Sequence, residues 1–270
     1  LTMTVNPAAP QKLRLSEDAV GRLATAYLAT HHGPHGDAPS TDVAVTVPVD
    51  RAVTAQVMSP ELLAAHTRLG EVRAPGQTLV AVYPADAPGA SEATGETPRG
   101  FGPALQVVTD HSPMLMDSVT VMLHRLGVNY VSIMNPILRV QRGPGGELLD
   151  IAPAVGPDAP ARGIDETWIH VRLAPTADPA AVDEAATMLP HVLADARQVA
   201  TDSSALNATL VGLANALDAD HAGHFAGPDR RDVASLLRWL ADGHFVLLGC
   251  QLCAVAGGTA TVDPASRPGG

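Results

Sequence analysis

Hydrophobic and polar residues alternate most regularly in ETWIHVRL, residues 166–173, which predicts a strand with two different faces. One face carries Ile169, Val171 and Leu173, and the other carries Trp168, His170 and Arg172. Further strands are predicted at residues 78–84, 104–110, 128–142 and 244–255, with a short strand or extended chain at 43–49. Pro136 interrupts the strand 128–142, which indicates a bulge or an edge position, and GPGG turns that strand into a hairpin with residues 147–151.

Apolar residues that recur three and four positions apart predict helices in the rest of the chain. Four of these helices cover residues 14–31, 59–70, 112–126 and 205–218. A further helix begins at Asp178-Pro179, and another lies within residues 227–243 and ends at Gly243. Ser112 is the predicted N-cap of the third helix, with Pro113 in its first turn. Pro190 is predicted to kink or restart the helix that begins at Asp178-Pro179. In the last helix an inward-facing stripe is formed by Val233, Leu236, Leu237 and Leu240.

The order strand–helix–strand–strand–helix in the middle of the chain predicts an α+β fold, a ferredoxin-like βαββαβ sandwich with helices on one sheet face and additional helices outside it. The last strand of that unit is missing at its place in the sequence, and either residues 78–84 or residues 244–250 could supply it. We expect three regions: a tail and helical lead-in (1–76), the α+β domain (77–200), and a helical connector that enters a second α/β module (201–270).

The acidic charge narrows the choice of partners. A formal net charge of −11 argues against nucleic acid and against an anionic membrane surface, since both require a cationic face. No apolar run approaches the ~20 residues of a membrane helix, and the first residues lack the pattern of a signal peptide. Two cysteines provide no disulfide framework, so we expect a cytoplasmic protein.

The most chemically loaded stretch places Asp110, His111 and Ser112 side by side. A hydrolytic triad requires these groups to meet in space, whereas neighbours in a strand-to-helix turn point apart, and no G-x-S-x-G motif is present. The N-cap interpretation of Ser112 is therefore favoured, and we predict no catalytic residue in the chain. Cys250 and Cys253 lie on opposite faces of a predicted strand, so no metal is expected. No nucleotide-binding glycine motif occurs either.

Two stretches are candidates for binding. The free amides at a helix start suit a carboxylate or phosphate, and the negative Asp110 would favour an ammonium group, a combination that suits an amino acid. The candidate effector loop consists of Asp110, His111, Ser112, Pro113, Met114 and Leu115. The candidate interface is the strand face with Trp168, His170 and Arg172, for which cover by another domain or subunit is the simpler interpretation.

Several motifs resemble one family. DHSPMLMDSVTVMLHRLGVNYVSIMNPILRV is similar to the pattern D-x-P-F-L-V-D-S-V, L-x-R-x-G, H-P-V-x-x-V of large NAD-specific glutamate dehydrogenases. The segments SPELLAAHTRLGEVRAPGQTLVAVYPAD, ETWIHVRLAPTADPAAVDEAATMLPHVLADAR and DVASLLRWLADGHFVLLGCQ resemble further motifs of that family in the same order. The resemblance covers residues 58–255 and is nearest to the actinobacterial branch.

The resemblance implies a very long chain that converts L-glutamate to 2-oxoglutarate and ammonium with NAD, through catalytic domains far C-terminal to these residues. It implies no cofactor in this segment, the remaining domains of the same polypeptide as partners, and a homo-oligomer. It also implies an ACT-like domain, a type that binds amino acids at the loop after its first strand. Met114 stands where many such loops have Gly, which favours scaffolding over effector binding. A stand-alone amino-acid-sensing protein and a Ser112 hydrolase stay as alternatives.

Overall fold

A computed structural model of the chain describes residues 15–32, 60–84, 102–156, 159–219, 229–251, 253–256 and 259–262. The predicted segment at 43–49 lies outside these residues. The chain divides into two compact units, residues 1–193 and 194–270. Within the described residues, none of the helices combines the length and the apolar character needed to cross a membrane.

The sheet of the first unit is antiparallel throughout, and the element bounds are as follows. The strands are β1 (His31–His32), β2 (Leu79–Tyr83), β3 (Ala104–Asp110), β4 (Tyr130–Met134), β5 (Ile137–Arg142), β6 (Leu148–Pro153) and β7 (Ile164–Leu173). The helices are α1 (Glu17–Ala29), α2 (Pro60–Leu69), α3 (Leu115–Arg125) and α4 (Pro179–Ala219), of which α4 continues into the second unit.

The strand order β1-β4-β7-β3-β2 is that of a ferredoxin-like sheet and confirms the predicted fold class. The central strand β7 pairs with β3 on one side and with both β4 and β5 on the other. The fourth strand of the unit is β2, which pairs with β3 from Leu79↔Val108 to Tyr83↔Ala104. Residues 78–84 therefore complete the sheet from upstream in the sequence, and residues 244–250 do not.

The predicted long strand is interrupted where Pro136 lies. Its two parts, β4 and β5, both pair with β7, and the amide of Trp168 donates to the Pro136 carbonyl across the interruption at 3.1 Å. β5 then turns into the predicted hairpin with β6. Pro136 breaks the ladder locally without ending the sheet, because a residue without an N–H is tolerated at such an irregularity.

Helices cover both faces of the sheet: the two helices of the ferredoxin-like unit lie on one face, as predicted, and the additional helices lie on the other. α1 and α2 pack on the face that carries Val108 and Trp168, in a core cluster with Leu23, Tyr27, Leu62 and Leu63. The opposite face carries buried Leu105, Val107, Ile169 and Val171. Its cover comes from α3 and α4, which bury Leu115, Val119, Met122 and Leu123, and Val182, Ala185, Leu189 and Leu193. The result is a three-layer arrangement.

The lead-in helices belong to this packing. Ser16 caps α1 by accepting from the amide of Ala19 at 3.2 Å. Gly70 ends α2, and a side chain there would clash with the Trp168 ring, since a Cβ would lie 2.6 Å from it. α4 is one continuous helix with Pro190 inside, so the prediction of two helices in this stretch is wrong. Because proline has no N–H, α4 lacks one backbone hydrogen bond at Pro190, and the helix continues without it.

The second unit contains the end of α4, α5 (Arg230–Trp239), a π-helical turn (Leu240–His244) that includes Gly243 at φ +83°, and the hairpin of β8 (Cys253–Ala256) and β9 (Thr259–Val262). The predicted inward stripe of α5 is wrong at Val233 and Leu236, which are 46% and 53% exposed. The predicted buried strand at 244–255 is also wrong over its first half. Residues 245–251 form no strand, and Phe245 and Leu248 are exposed, because pairing begins only at Cys253↔Val262.

Candidate functional site

The candidate effector loop, residues 110–115, joins β3 to α3. α3 begins at Leu115, and its N-cap is Met114, not Ser112, so the predicted cap is wrong. Met114 has φ +65°, the left-handed conformation in which glycine is usual and other residues are strained. Met114 makes no side-chain cap; its carbonyl accepts the amide of Ser118 at 3.0 Å. Met114 therefore adopts the left-handed backbone conformation that glycine usually adopts in such a loop.

Asp110 ends β3, and both of its carboxylate oxygens have partners within the chain. Oδ1 accepts a hydrogen bond from Nη2 of Arg73, and Oδ2 accepts from the amide of Gly76 at 3.0 Å. Both donors belong to the segment between α2 and β2. The negative charge that we expected to attract an ammonium group is thus paired with a guanidinium of the same chain.

Glu166 lies opposite Asp110 in the register of β3 and β7, and it is fully buried. Its Oε1 accepts from Nε and Nη2 of Arg73 at 3.0 and 2.8 Å and from Nε of Arg142 at 2.6 Å. Its Oε2 accepts from Nη2 of Arg142 at 2.9 Å and from the indole N–H of Trp168 at 3.0 Å. A carboxylate without water is stable here because five donors replace its hydration.

We call Arg73, Asp110, Arg142 and Glu166 the Arg73 cluster. Two positive and two negative charges balance within it, as a buried group of ions requires. Burial alone would lower the pKa of Arg73, but its hydrogen bonds to Asp110 and Glu166 and their negative charge outweigh burial and raise that pKa. Arg142 also donates to the carbonyls of Gly70 and Gly146, at 3.0 and 2.8 Å, and so ties the β5–β6 hairpin to the end of α2.

The structure does not assemble the acid, base and nucleophile of the hydrolase alternative. The Nδ1 atom of His111 pairs with the hydroxyl of Thr167 at 2.9 Å, and the amide of His111 donates to the carbonyl of Asp165. Asp110 is bound by Arg73 as described, so Asp110 and His111 face different partners. Neither group is placed to activate Ser112.

The candidate interface face is covered by α1 and α2 of the same chain. Trp168 and His170 are each 1% exposed, whereas Arg172 is exposed. His66 of α2 packs against the Trp168 ring with centroids 5.0 Å apart. His170 accepts a hydrogen bond at Nδ1 from Gln106 at 3.3 Å. We expected another domain or subunit to cover this face, but its buried part is covered by helices of the same compact unit.

Two neutral histidines lie under this cover. Nε2 of His66 donates to the Val107 carbonyl at 3.1 Å, and because a carbonyl only accepts, Nδ1 must accept from the Tyr27 hydroxyl at 2.7 Å. Burial lowers the pKa of His66 to about 3. Burial lowers the pKa of His170 to about 3, and its interactions with His66 and Arg172 act in the same direction. Burial also raises the pKa of Tyr27.

The other described residues contain fewer features that could form a functional site. No three His, Cys, Asp or Glu side chains of the described residues come close enough to hold a metal ion. Cys250 and Cys253 are free thiols. A cleft of about 330 Å³ lies beside α1 and α2, and apolar side chains such as Leu15, Val20 and Leu63 form most of its wall.

The comparisons with known proteins identify the family. The family model of the glutamate dehydrogenase ACT1 domain matches residues 54–189. The chain belongs to this family. The NAD-specific glutamate dehydrogenase of Mycobacterium tuberculosis is 44% identical over 262 residues, which are 95% of this chain and 15% of that protein. The NAD-specific glutamate dehydrogenase of Halomonas elongata is 28% identical over 145 residues, which are 54% of this chain and 9% of that protein.

The match to the ACT1 domain family confirms the resemblance found in the sequence and includes both the candidate effector loop and the Arg73 cluster. The cluster residues Arg73, Arg142 and Glu166 were not singled out from the sequence. One signal was available: the alternation of residues 166–173 places Glu166 on the same strand face as Trp168, and a carboxylate on a covered face requires a cationic partner.

Proposed function

We propose that this chain is the N-terminal assembly and regulatory region of a large NAD-dependent glutamate dehydrogenase. One observation carries the proposal: 95% of the chain aligns at 44% identity with a protein of that name, of which it spans only 15%. In the proposed enzyme, oxidative deamination of L-glutamate to 2-oxoglutarate and ammonium takes place in other domains of the same polypeptide. NAD binds in those domains, and this segment binds no cofactor.

The site geometry supports assembly in preference to chemistry. The charged groups of the Arg73 cluster satisfy one another, and His66 and His170 are held neutral in the interior. A rigid body with satisfied polar groups suits the positioning of other domains or subunits. We further propose a homo-oligomer in the cytoplasm, in keeping with the acidic charge and two free cysteines. Binding of an amino-acid effector at residues 110–115 stays a prediction.

The test uses the native polypeptide from its source cells. Denaturing mass spectrometry is expected to give a mass several times the 27.8 kDa of this chain, and the purified polypeptide is expected to reduce NAD when L-glutamate is added. The 270-residue chain alone is expected to reduce none. A native mass near 27.8 kDa with stoichiometric binding of an amino acid would instead support the stand-alone sensing protein.

The assembly role is tested in the full-length polypeptide with Trp168→Ala, which empties the core between the sheet and α1 and α2. We expect a smaller oligomer by light scattering, because a disordered first unit cannot position its neighbours. The matched control is Val121→Ala on α3, where the side chain is 58% exposed. An oligomer of unchanged size in the Trp168 variant would contradict the assembly role.

A further inference from the structure

We propose that Asp110 and Glu166 form a binding site for a guanidinium cation, and that Arg73 of the same chain occupies this site as a built-in ligand. Asp110 and Glu166 lie opposite each other in the ladder of β3 and β7, so the sheet places the two carboxylates whether or not a cation is present. Arg73 comes from elsewhere, in the irregular segment between α2 and β2. Its guanidinium bridges both carboxylates through Nη2.

The acceptors match the planar guanidinium in detail. Besides the Nη2 bridge, Nε donates to Glu166 Oε1 at 3.0 Å and Nη1 donates to the carbonyl of Gln77 at 2.7 Å. All three guanidinium nitrogens of Arg73 therefore donate to acceptors, and these acceptors fit the fixed geometry of the planar group. An ammonium group is a point charge with tetrahedral donors and cannot make these contacts from a single position.

The charges of the site require a cation. Arg142 neutralises one of the two carboxylates, and its own guanidinium is held by Gly70 and Gly146. Removal of the Arg73 side chain would leave the negative charges of Asp110 and Glu166 with only Arg142 to balance them. A fully buried Glu166 makes that imbalance costly and makes the empty site selective for a positive ligand.

The occupied site closes the candidate effector loop at Asp110. Both carboxylate oxygens of Asp110 accept from the segment that carries Arg73 and Gly76, so the amino group of a free amino acid would meet a carboxylate whose charge is already paired. This consequence for regulation rests on the proposed function. The binding site itself rests on geometry alone, and its test uses no enzymatic activity, so failure of one proposal does not imply failure of the other.

The experiment is chemical rescue of Arg73→Ala in the full chain. We expect a lower unfolding midpoint than for the unaltered chain, and a saturable rise when millimolar methylguanidinium is added. Equal concentrations of methylammonium or sodium chloride are expected to produce no such rise. The control Arg139→Ala removes another arginine of the sheet, paired with Asp165 and 27% exposed, and should show no rescue. The unaltered chain should not bind methylguanidinium by calorimetry.

A second variant tests the identity of the site. In Arg73→Ala with Asp110→Asn, loss of a charged acceptor should weaken methylguanidinium binding about tenfold or more. If Arg73→Ala does not fold, it is refolded from urea with each additive, and folding should recover with methylguanidinium only. Equal effects of methylguanidinium and methylammonium, rescue of the Arg139 variant, or no recovery of folding with methylguanidinium would each overturn the proposal.

Discussion

Acid is expected to destabilise the first unit through its two buried histidines. In the folded chain the pKa of His66 is about 3, and in the unfolded chain it returns to its ordinary value of 6.5. As the pH falls through 6.5, the unfolded chain binds a proton at this position and the folded chain does not. The stabilisation is therefore complete above pH 6.5 and is lost progressively between pH 6.5 and pH 3.

The magnitude follows from these two values. Between pH 7 and pH 5, one histidine with an unfolded pKa of 6.5 and a folded pKa well below 5 lowers the free energy of unfolding by about 2 kcal/mol. His170, whose pKa is also about 3, contributes a similar loss, so the pair accounts for about 4 kcal/mol. That is a large fraction of the stability of an ordinary domain.

The assay is urea unfolding at pH 7 and pH 5, followed by the fluorescence of Trp168, whose ring lies 5.0 Å from His66. Trp239 is replaced by Phe throughout so that the signal comes from the first unit. In His66→Gln the amide group can still donate to Val107 and accept from Tyr27, but it cannot titrate. This variant should lose about 2 kcal/mol less than the parent on acidification.

His124→Gln, at an exposed position on α3, controls for removal of a histidine as such and should lose stability like the parent. Equal losses of stability in His66→Gln and the parent between the two pH values would contradict the lowered pKa, because His66 would then titrate alike in the folded and unfolded chains.

Three further substitutions test particular contacts by urea unfolding. Gly146→Ala should lower the free energy of unfolding by about 2 kcal/mol or more, because φ is +87° there and a Cβ would lie 2.4 Å from the Arg73 carbonyl oxygen. A variant of unchanged stability would show that this backbone contact is not tight. Ser112→Ala should change stability by less than about 0.5 kcal/mol, whereas a true N-cap would cost about 1 kcal/mol. Met114→Val should be less stable than Met114→Gly by about 1 kcal/mol or more, since β-branched residues disfavour φ +65°; equal stability would contradict the left-handed turn.

The individual strands of the sheet could be predicted from the sequence, but the strand order and the number of layers could be predicted only in part. The alternation of β7 and the interruption at Pro136 were local signals, and both agree with the structure. The fourth strand was ambiguous because any apolar strand can complete an open sheet edge. Distance along the chain favours residues 78–84, since consecutive strands are neighbours more often than distant ones. The number of layers was not predictable, because an amphipathic helix does not reveal which sheet face it covers.

The Arg73 cluster was not predictable because its partners are far apart in the sequence. Arg73 is separated from Asp110 by 37 positions and from Glu166 by 93. A charge at a given position provides no information about a partner so distant. What the sequence does show is a constraint: a glutamate on a strand whose two faces are both covered must be paired.

The same contacts explain why the helix start was misplaced. Ser112-Pro113 is a strong local signal for a cap, but local signals compete with tertiary contacts on the residues before them. Asp110 is tied to Arg73 and Gly76, and His111 is tied to β7. These contacts keep the chain against the sheet beyond the end of β3, so it must turn sharply before it can begin the helix. Met114 makes that turn in a conformation that costs on the order of 1 kcal/mol, which is less than the ~3–5 kcal/mol that breaking a buried ion pair costs. The start of α3 is therefore determined by the partners of Asp110 and His111 and not by the local cap signal.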